Sequence, residues 1–562
     1  MSRDYQHTML ETMWEAMRSA IATERAGTPV SARVYLECAS DAEQLDRELA
    51  TAVDMLGQLF GSQVETLAVF GSRVSRQLSS LLRFSGGQSA LVSVVAMPSS
   101  GHAEFVVFAE RGSLRWQGPD DSLQPSCQRP PSPLSSQTFV ELLARIRDEL
   151  ADPRPVGEER PFPATAKPTP CAPPYGILLV SGDHTHQPGY AEALAADPRC
   201  HLVAVTDEVD IPDRRRRKNE QLAQRLDVPY LDDLDSALAR NDIQIVSICA
   251  EPYRRGRIIV KAAYAGKHLY LDKPLCGTQV EADAIVTAVR DAGVVAHMFS
   301  QVCFDSARKA RACVSSGQLG DLVAIHTDLC FAKGHSGTAT LGKPRHEAAQ
   351  PDRYELVDSK RELTNVGIYN VVLLLWLTQR NVRRVVASTG NYFFSEHQSN
   401  DMEDFGQVLL EFDGGLTATL SAGRLGWKSH PSSGLNRIYL VGSQDSTIVD
   451  AHQPRVEMWT AAECWAPPQR DPEDPMGMWQ APPSSPFRAK PKLDWIVPGS
   501  TSWKLDTSYF LDCVEKGRAS EVPAELAAAA TEVLLAAYRS AATGRPVQLP
   551  VDDVAGSYQS AK

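Results

Sequence analysis

No stretch of this sequence is apolar for long enough to cross a bilayer. The longest runs, such as residues 371–377, fall far short of the about 20 residues a spanning helix needs, so no membrane partner is expected. A basic excess is also missing. The chain has 57 Lys and Arg against 69 Asp and Glu, a net charge of −12. Phosphate backbones call for a positive surface, which argues against nucleic acid as a partner. The 11 cysteines lack CxxC spacing, and the 13 histidines lack HxxxH and HExxH spacing. Neither a disulfide framework nor a metal site is therefore expected. The first residues, MSRDYQHTMLETMWEAM, hold no apolar core and no small-residue cleavage site. With the unpatterned cysteines, this points to reduced thiols in a cytoplasm.

What is present suits several packed cores. The chain has 562 residues, 43 % of them hydrophobic, enough for about three domains. Two Pro-rich stretches, 117–137 and 151–174, lack periodicity and read as extended linkers around a helical pattern at 138–150. Short apolar runs follow at 176–180, 202–206, 243–249, 268–271 and 294–299, with helical patterns between them. That alternation predicts a Rossmann-type, doubly wound parallel α/β sheet over 175–299. From 300 to 507 a helix at 307–316 precedes long alternating strands at 322–331, 382–388, 406–412, 416–421 and 438–441. These predict an α+β domain with an antiparallel sheet, carrying a Trp- and Pro-rich insertion at 457–502. Residues 508–562 return to helix, expected to pack back on the Rossmann sheet.

The first 116 residues echo the later sheet. Leu81, Leu82, Phe84, Gly86, Gly87, Ala90 and Ser93 recur at the same spacing as Leu409, Leu410, Phe412, Gly414, Gly415, Ala418 and Ser421. Upstream, Leu59, Val64 and Leu67 parallel Leu377, Val382 and Val385; downstream, 103–113 parallels 436–446. Agreement in order over three blocks predicts that 1–116 is a degenerate copy of the sheet domain, without a nucleotide domain of its own.

Three segments carry chemistry. The first strand turns at Ser181-Gly182-Asp183-His184, where a dinucleotide site needs a close backbone approach to a pyrophosphate. Only Gly182 remains of a GxGxxG pattern. Asp207 ends the second strand, where an acid accepts the ribose hydroxyls and favours NAD. The run Arg214-Arg215-Arg216-Arg217-Lys218 leaves NADP open, although a solvated helix start is the plainer reading. The second segment is Ala265-Gly266-Lys267-His268-Leu269-Tyr270-Leu271-Asp272-Lys273-Pro274, and the third is Asn365-Val366-Gly367-Ile368-Tyr369.

From about Tyr175 to Pro550 the chain resembles the glucose–fructose oxidoreductase, inositol dehydrogenase and rhizopine-catabolism (Gfo/Idh/MocA) family. That family carries A-G-K-H-V…E-K-P where this chain has Asp272-Lys273-Pro274, and D-x-G-x-H where it has Asn365 and Tyr369. The resemblance implies an NAD(P)-dependent dehydrogenase acting on a sugar, sugar acid or cyclitol. It also implies a cis peptide before Pro274 and Lys273 beside substrate and nicotinamide. Lys273, Tyr369 and Asn365 are the catalytic candidates, with the Lys273 ammonium lowering the pKa of the Tyr369 phenol so that the two relay the hydroxyl proton. Cofactor candidates are Gly182, Asp183, His184, Asp207, Ala250, Glu251, Tyr253, Asp272 and Lys273. Substrate candidates are Gln301, Lys360 and Arg361 with Lys273, Asn365 and Tyr369; Lys333, His335 and His430 lie on neighbouring loops. The alternative is a catalytically inactive nucleotide- or sugar-binding member of the same fold. Family members pair through the faces of their sheet domains, so residues 1–116 are expected to cover that face as an intrachain pseudo-dimer. Association of whole chains stays open.

Overall fold

A computed structural model describes residues 14, 17–22, 26–38, 45–72, 74–97, 102–118, 137–151, 160–165, 167–181, 186–332, 338–341, 361–425, 435–450, 455–459, 492–495 and 503–551. The predicted site residues Gly182, Asp183, His184, Lys333, His335, Lys360 and His430 lie outside this set.

The N-terminal part begins with β1 (Pro29–Cys38), α1 (Leu45–Phe60), β2 (Val64–Ser72) and β3 (Gln77–Phe84). It continues with β4 (Ser89–Ala96), β5 (Ala103–Ala109) and β6 (Gly112–Gly118). The strands lie in the order β2-β3-β4-β1-β5-β6, with β1 and β4 parallel. Helix α2 (Gln137–Ala151) packs beside α1 on one face of this sheet.

The second sheet comprises β7 (Tyr175–Val180), β8 (Cys200–Thr206), β9 (Tyr230–Leu231), β10 (Ile245–Ile248), β11 (His268–Leu271) and β12 (Ala296–Met298). Its order, β9-β8-β7-β10-β11-β12, is all parallel and reverses direction between β7 and β10. Every residue of β7, β10 and β11 is buried. This is why they appear as unbroken apolar runs: helices cover both faces. Those helices are α3 (Gln187–Ala195), α4 (Asp213–Arg225), α5 (Pro252–Tyr264) and α6 (Gln279–Ala292). Helix α6 starts with a reciprocal Thr278–Glu281 capping box, which satisfies two of its orphan donors.

Next come α7 (Asp305–Ser315), β13 (Leu322–Ala332), α8 (Ile368–Thr378), β14 (Val382–Gly390), β15 (Phe405–Phe412), β16 (Thr417–Leu425), β17 (Leu435–Gly442) and β18 (Ser446–Asp450). The part of 457–502 that is described adds β19 (Arg455–Trp459) and β20 (Lys492–Trp495) to the sheet edge. With β21 (Val547–Gln548) the order is β20-β19-β18-β17-β13-β16-β15-β14-β21. This sheet is antiparallel, as expected, except at its centre, where β13 and β16 run parallel. The amphipathic stretch after 508 is two helices, α9 (Trp503–Lys516) and α10 (Ala524–Thr543). Gly517, at φ +57°, and Pro523 separate them, a left-handed stop followed by a residue that starts a new helix.

The helices α8 and α10 cover one face of the large sheet. The N-terminal sheet covers the other. Val30 and Phe108 pack with Phe405 and Leu425, Tyr35 and Val95 with Tyr439 and Val441, and Phe70 and Leu81 with Val386 and Leu409. Buried Glu104 accepts from Arg33 at 2.9 Å and from Arg115 and Arg437 at 2.6 Å, while Arg33 also pairs with Asp328 at 2.5 Å.

Candidate active site

The loop after β11 sets the site. The Lys273–Pro274 peptide is cis. Asp272 is 1 % exposed. Its Oδ1 accepts from the Tyr190 hydroxyl at 2.9 Å and the Lys273 main-chain N–H at 2.9 Å, and lies 2.9 Å from His186 Nδ1. Burial alone would raise this carboxyl, but His186, Arg255 and Lys273 hold it well below the usual carboxylate range. From α5, Arg255 donates to the Ala250 carbonyl at 2.7 Å, the Asp272 carbonyl at 2.9 Å and the Pro274 carbonyl. One guanidinium thus satisfies three buried carbonyls and fixes the turn that carries Lys273.

Lys273 is buried, and its Nζ donates to the carbonyl oxygen of Asn365 at 2.6 Å and to its Oδ1 at 2.7 Å. Asn365 sits on a π-helical turn, Leu363–Gly367, that feeds α8. Such widened turns turn a side chain out of helical register. The turn is held on both sides. Glu362 binds His397 and Arg424, each at 3.1 Å. Glu403 accepts from the Leu363 N–H at 3.2 Å and the Tyr538 hydroxyl at 2.6 Å. Burial pushes Lys273 down to about 8, against the opposing pull of Asp272. An ammonium has three hydrogens, and two of them are held by Asn365.

Tyr369 comes to the same place. Lys273 Nζ lies 5.1 Å from its ring centroid, over the face, a cation–π contact. Burial, and secondarily Asp272, push the phenol well above its ordinary value, the opposite sense to the lowering expected from the sequence. Gln301 accepts from the Asn436 side chain at 3.2 Å and lines a small pocket with Tyr369, Asn370, Thr327 and Asn436.

Other candidates are placed differently. Arg361 lies 3.7 Å from the Tyr538 ring centroid, with its Nε 3.4 Å from Glu403. These contacts tie it to the C-terminal helix. Asp207 is fully buried, and both of its oxygens are already held by Arg254 and Asn219, which corrects its reading as a free ribose acceptor. Glu251 caps α5 and pairs with Arg254 at 2.6 Å and with Arg215. Ala250 is buried, and Tyr253 is 44 % exposed at the rim. Four residues near the site are missing from the candidates read from the sequence. His186 ends the turn in which only its neighbours were considered. Arg254 and Arg255 follow Tyr253 at the start of α5. Arg215, taken with its run as solvated, is 6 % exposed.

Two family models match the chain. The first, an oxidoreductase family with an NAD-binding Rossmann fold, covers residues 184–300, and the second, a GFO/IDH/MocA C-terminal domain, covers residues 307–448. A 2,7-anhydro-N-acetylneuraminate hydratase of Mediterraneibacter gnavus is 25 % identical over 128 residues, 22 % of this chain and 32 % of that protein, so the match spans less than two thirds of its length. A scyllo-inositol 2-dehydrogenase (NAD(+)) of Bacillus subtilis is 23 % identical over 356 residues, 63 % of this chain and 90 % of that protein. Among solved structures, a levoglucosan dehydrogenase in complex with NADH and levoglucosan shares the fold at TM-score 0.51 and 15 % identity, over 67 % of this chain and 99 % of that one. Residues 184–300 and 307–448 thus match, in order, the NAD-binding and C-terminal domain models of the GFO/IDH/MocA oxidoreductases, and over these residues the chain is similar to that family.

Proposed function

We propose that this protein transfers hydride between a nicotinamide dinucleotide and a carbinol carbon of a sugar, sugar acid or cyclitol. The observation that carries this is Lys273: a buried amine near neutrality, at the mouth of an NAD-binding sheet, with two hydrogens held by Asn365. The strand order reverses at β7 and β10, which opens a crevice at their C-terminal ends where dinucleotides lie. Residues available to hold one there are Ser181, at the end of β7, and Arg215 and Glu251 beside it. When bound, the nicotinamide supplies the hydride acceptor. On oxidation, neutral Lys273 takes the substrate hydroxyl proton, while Asn365 holds the resulting ammonium through two hydrogen bonds. The Tyr369 phenol donates a hydrogen bond and orients the substrate. The named activities of the inositol and levoglucosan dehydrogenases support the substrate class.

The test is absorbance at 340 nm with NAD or NADP against myo-inositol, D-glucose and D-gluconate. A dehydrogenase changes it with a member of this panel, and Lys273→Met abolishes the change. Tight dinucleotide binding with no change for any polyol would instead assign the protein to binding without chemistry.

We also infer that residues 1–116 are a second copy of the sheet domain, docked in cis as a pseudo-dimer. The strand order β2-β3-β4-β1-β5-β6 repeats as β14-β15-β16-β13-β17-β18. Register makes Arg33 equivalent to His326, Tyr35 to Asp328, and Glu104 to Arg437. Arg33 meets Asp328, and the equivalent pair, His326 and Tyr35, meets at a ring separation of 5.0 Å. Glu104 meets its own equivalent, Arg437. Contacts exchanged in this way are the mark of a two-fold, isologous interface. Native mass spectrometry with cross-linking of the full chain checks it: cross-links between the two sheets should occur within single chains and persist on dilution. Cross-links of this face found only between chains would overturn it.

A further inference from the structure

We propose that the dinucleotide site is built for a 2′-phosphorylated ribose, with Arg215 as the phosphate ligand and Arg254 as the residue that neutralises Asp207. The inference rests on the reading that a nicotinamide dinucleotide binds at the C-terminal ends of β7, β8 and β10.

Asp207 is the residue expected to select an unphosphorylated ribose, yet it has no acceptor site left. Its Oδ1 accepts from the Glu208 N–H at 2.9 Å and from Arg254 Nη1 at 2.5 Å. Its Oδ2 accepts from Asn219 Nδ2 at 2.7 Å and from Arg254 Nη2 at 3.1 Å. A carboxylate offers about four lone-pair sites, and all are filled by groups of this chain. Two ribose hydroxyls could use Asp207 only by displacing a guanidinium that is itself 3 % exposed. The remaining carboxylates are neutralised too. Glu208 pairs with Arg257 at 2.7 Å, and Glu251 with Arg254 and Arg215. Among the described residues, three carboxylates, Asp207, Glu208 and Glu251, thus face three guanidiniums.

Arg215 is the second, independent observation. It lies in the first turn of α4, the helix that follows β8, and one of its nitrogens binds Glu251. Its Nε and Nη1 are buried and have no hydrogen-bond partner. Buried donors without an acceptor are rare and costly in a folded protein. A 2′-phosphate carries its charge on three terminal oxygens at the end of β8, where the adenosine ribose lies in sheets of this order. It is the part of a dinucleotide that would satisfy both donors. A ribose hydroxyl could accept hydrogen bonds there but brings no charge to meet the guanidinium.

The test is isothermal titration of the full chain with NADP, NAD, 2′,5′-ADP and 5′-AMP. NADP is expected to bind at least tenfold tighter than NAD, and 2′,5′-ADP tighter than 5′-AMP by a similar factor. Arg215→Ala should erase both preferences, and Arg215→Lys should restore part of them; thermal melting confirms that the variants fold. The wild-type ratios decide the matter even if Arg215→Ala fails to fold. If NAD binds as tightly as NADP, the phosphate site is wrong and the dehydrogenase reading stands. If neither dinucleotide binds, that reading fails and takes this one with it.

Discussion

At the scale of single residues the site divides its labour unevenly. Lys273 is the group whose protonation changes near neutrality. Burial lowers it from 10.5 to about 8, so the neutral amine, the proton acceptor in alcohol oxidation, accumulates as pH rises through that value. The kcat/KM for oxidation should therefore rise with an apparent pKa near 8, and carbonyl reduction should show the mirror profile, falling as the ammonium is lost. A flat profile from pH 6 to 10 would remove Lys273 from proton transfer. In the proposed mechanism Tyr369 acts only as a donor, so Tyr369→Phe should cost about one hydrogen bond, ~1 kcal/mol or roughly fivefold in kcat/KM. A loss approaching that of Lys273→Met would restore the phenol as acid–base. Lys273 and Asn365 were legible in the sequence because their motifs fix both residue type and neighbours. The arginines were not. Arg215 sits in a run of four, and a buried guanidinium and a solvated one look the same in sequence, because the carboxylate that pairs with it, Glu251, comes from another strand end.

At the scale of elements the alternation of apolar runs exposed the parallel sheet, because strands buried on both faces cannot hide their composition. The mixed character of the large sheet was less legible, since β13 and β16 are 84 residues apart at their closest ends and their pairing depends on the chain between them. The split of the terminal helix was signalled by Gly517 and Pro523 but masked by the apolar periodicity continuing on either side. One helix contact shows how tightly the C-terminal segment is fitted to the nucleotide domain. Gly189, in the first turn of α3, lies against Trp503, and a Cβ there would fall 0.9 Å from a ring carbon. Gly189→Ala must displace that indole, and with it the T-shaped contact with Tyr190 at 5.6 Å. Overpacking of this kind costs about 1–3 kcal/mol, so the melting temperature should fall by a few degrees. An unchanged Tm would mean that Trp503 is not seated there.

At the scale of the whole molecule the two facing sheets share a buried charge cluster around Glu104. Burial would raise this carboxyl, but Arg437, Arg33 and Arg115 outweigh burial and hold it well below its ordinary value of 4.5. A depressed folded-state value means that the cluster contributes its full stability above about pH 4.5 and loses it as pH falls toward the folded value. Asp328, pushed up by burial, acts in the opposite sense, so the acid loss belongs to Glu104. Unfolding midpoints taken from pH 7 down to pH 3 should drop below about pH 4.5 in the wild type. Glu104→Gln should lower the pH 7 midpoint, since removing one partner of a buried pair costs about 3–5 kcal/mol, and should flatten the acid drop. Equal acid sensitivity in the two proteins would acquit Glu104.

Attachment of the covering sheet to the chain that carries the lysine loop has a consequence for dosage. When a face is covered by a separate subunit, dilution uncovers it. Here both sheets belong to one chain, so the effective concentration of one for the other is set by their connection rather than by expression. The active-site sheet should keep its back covered at one copy per cell as well as at a thousand, and a single translation product delivers both halves in equal number.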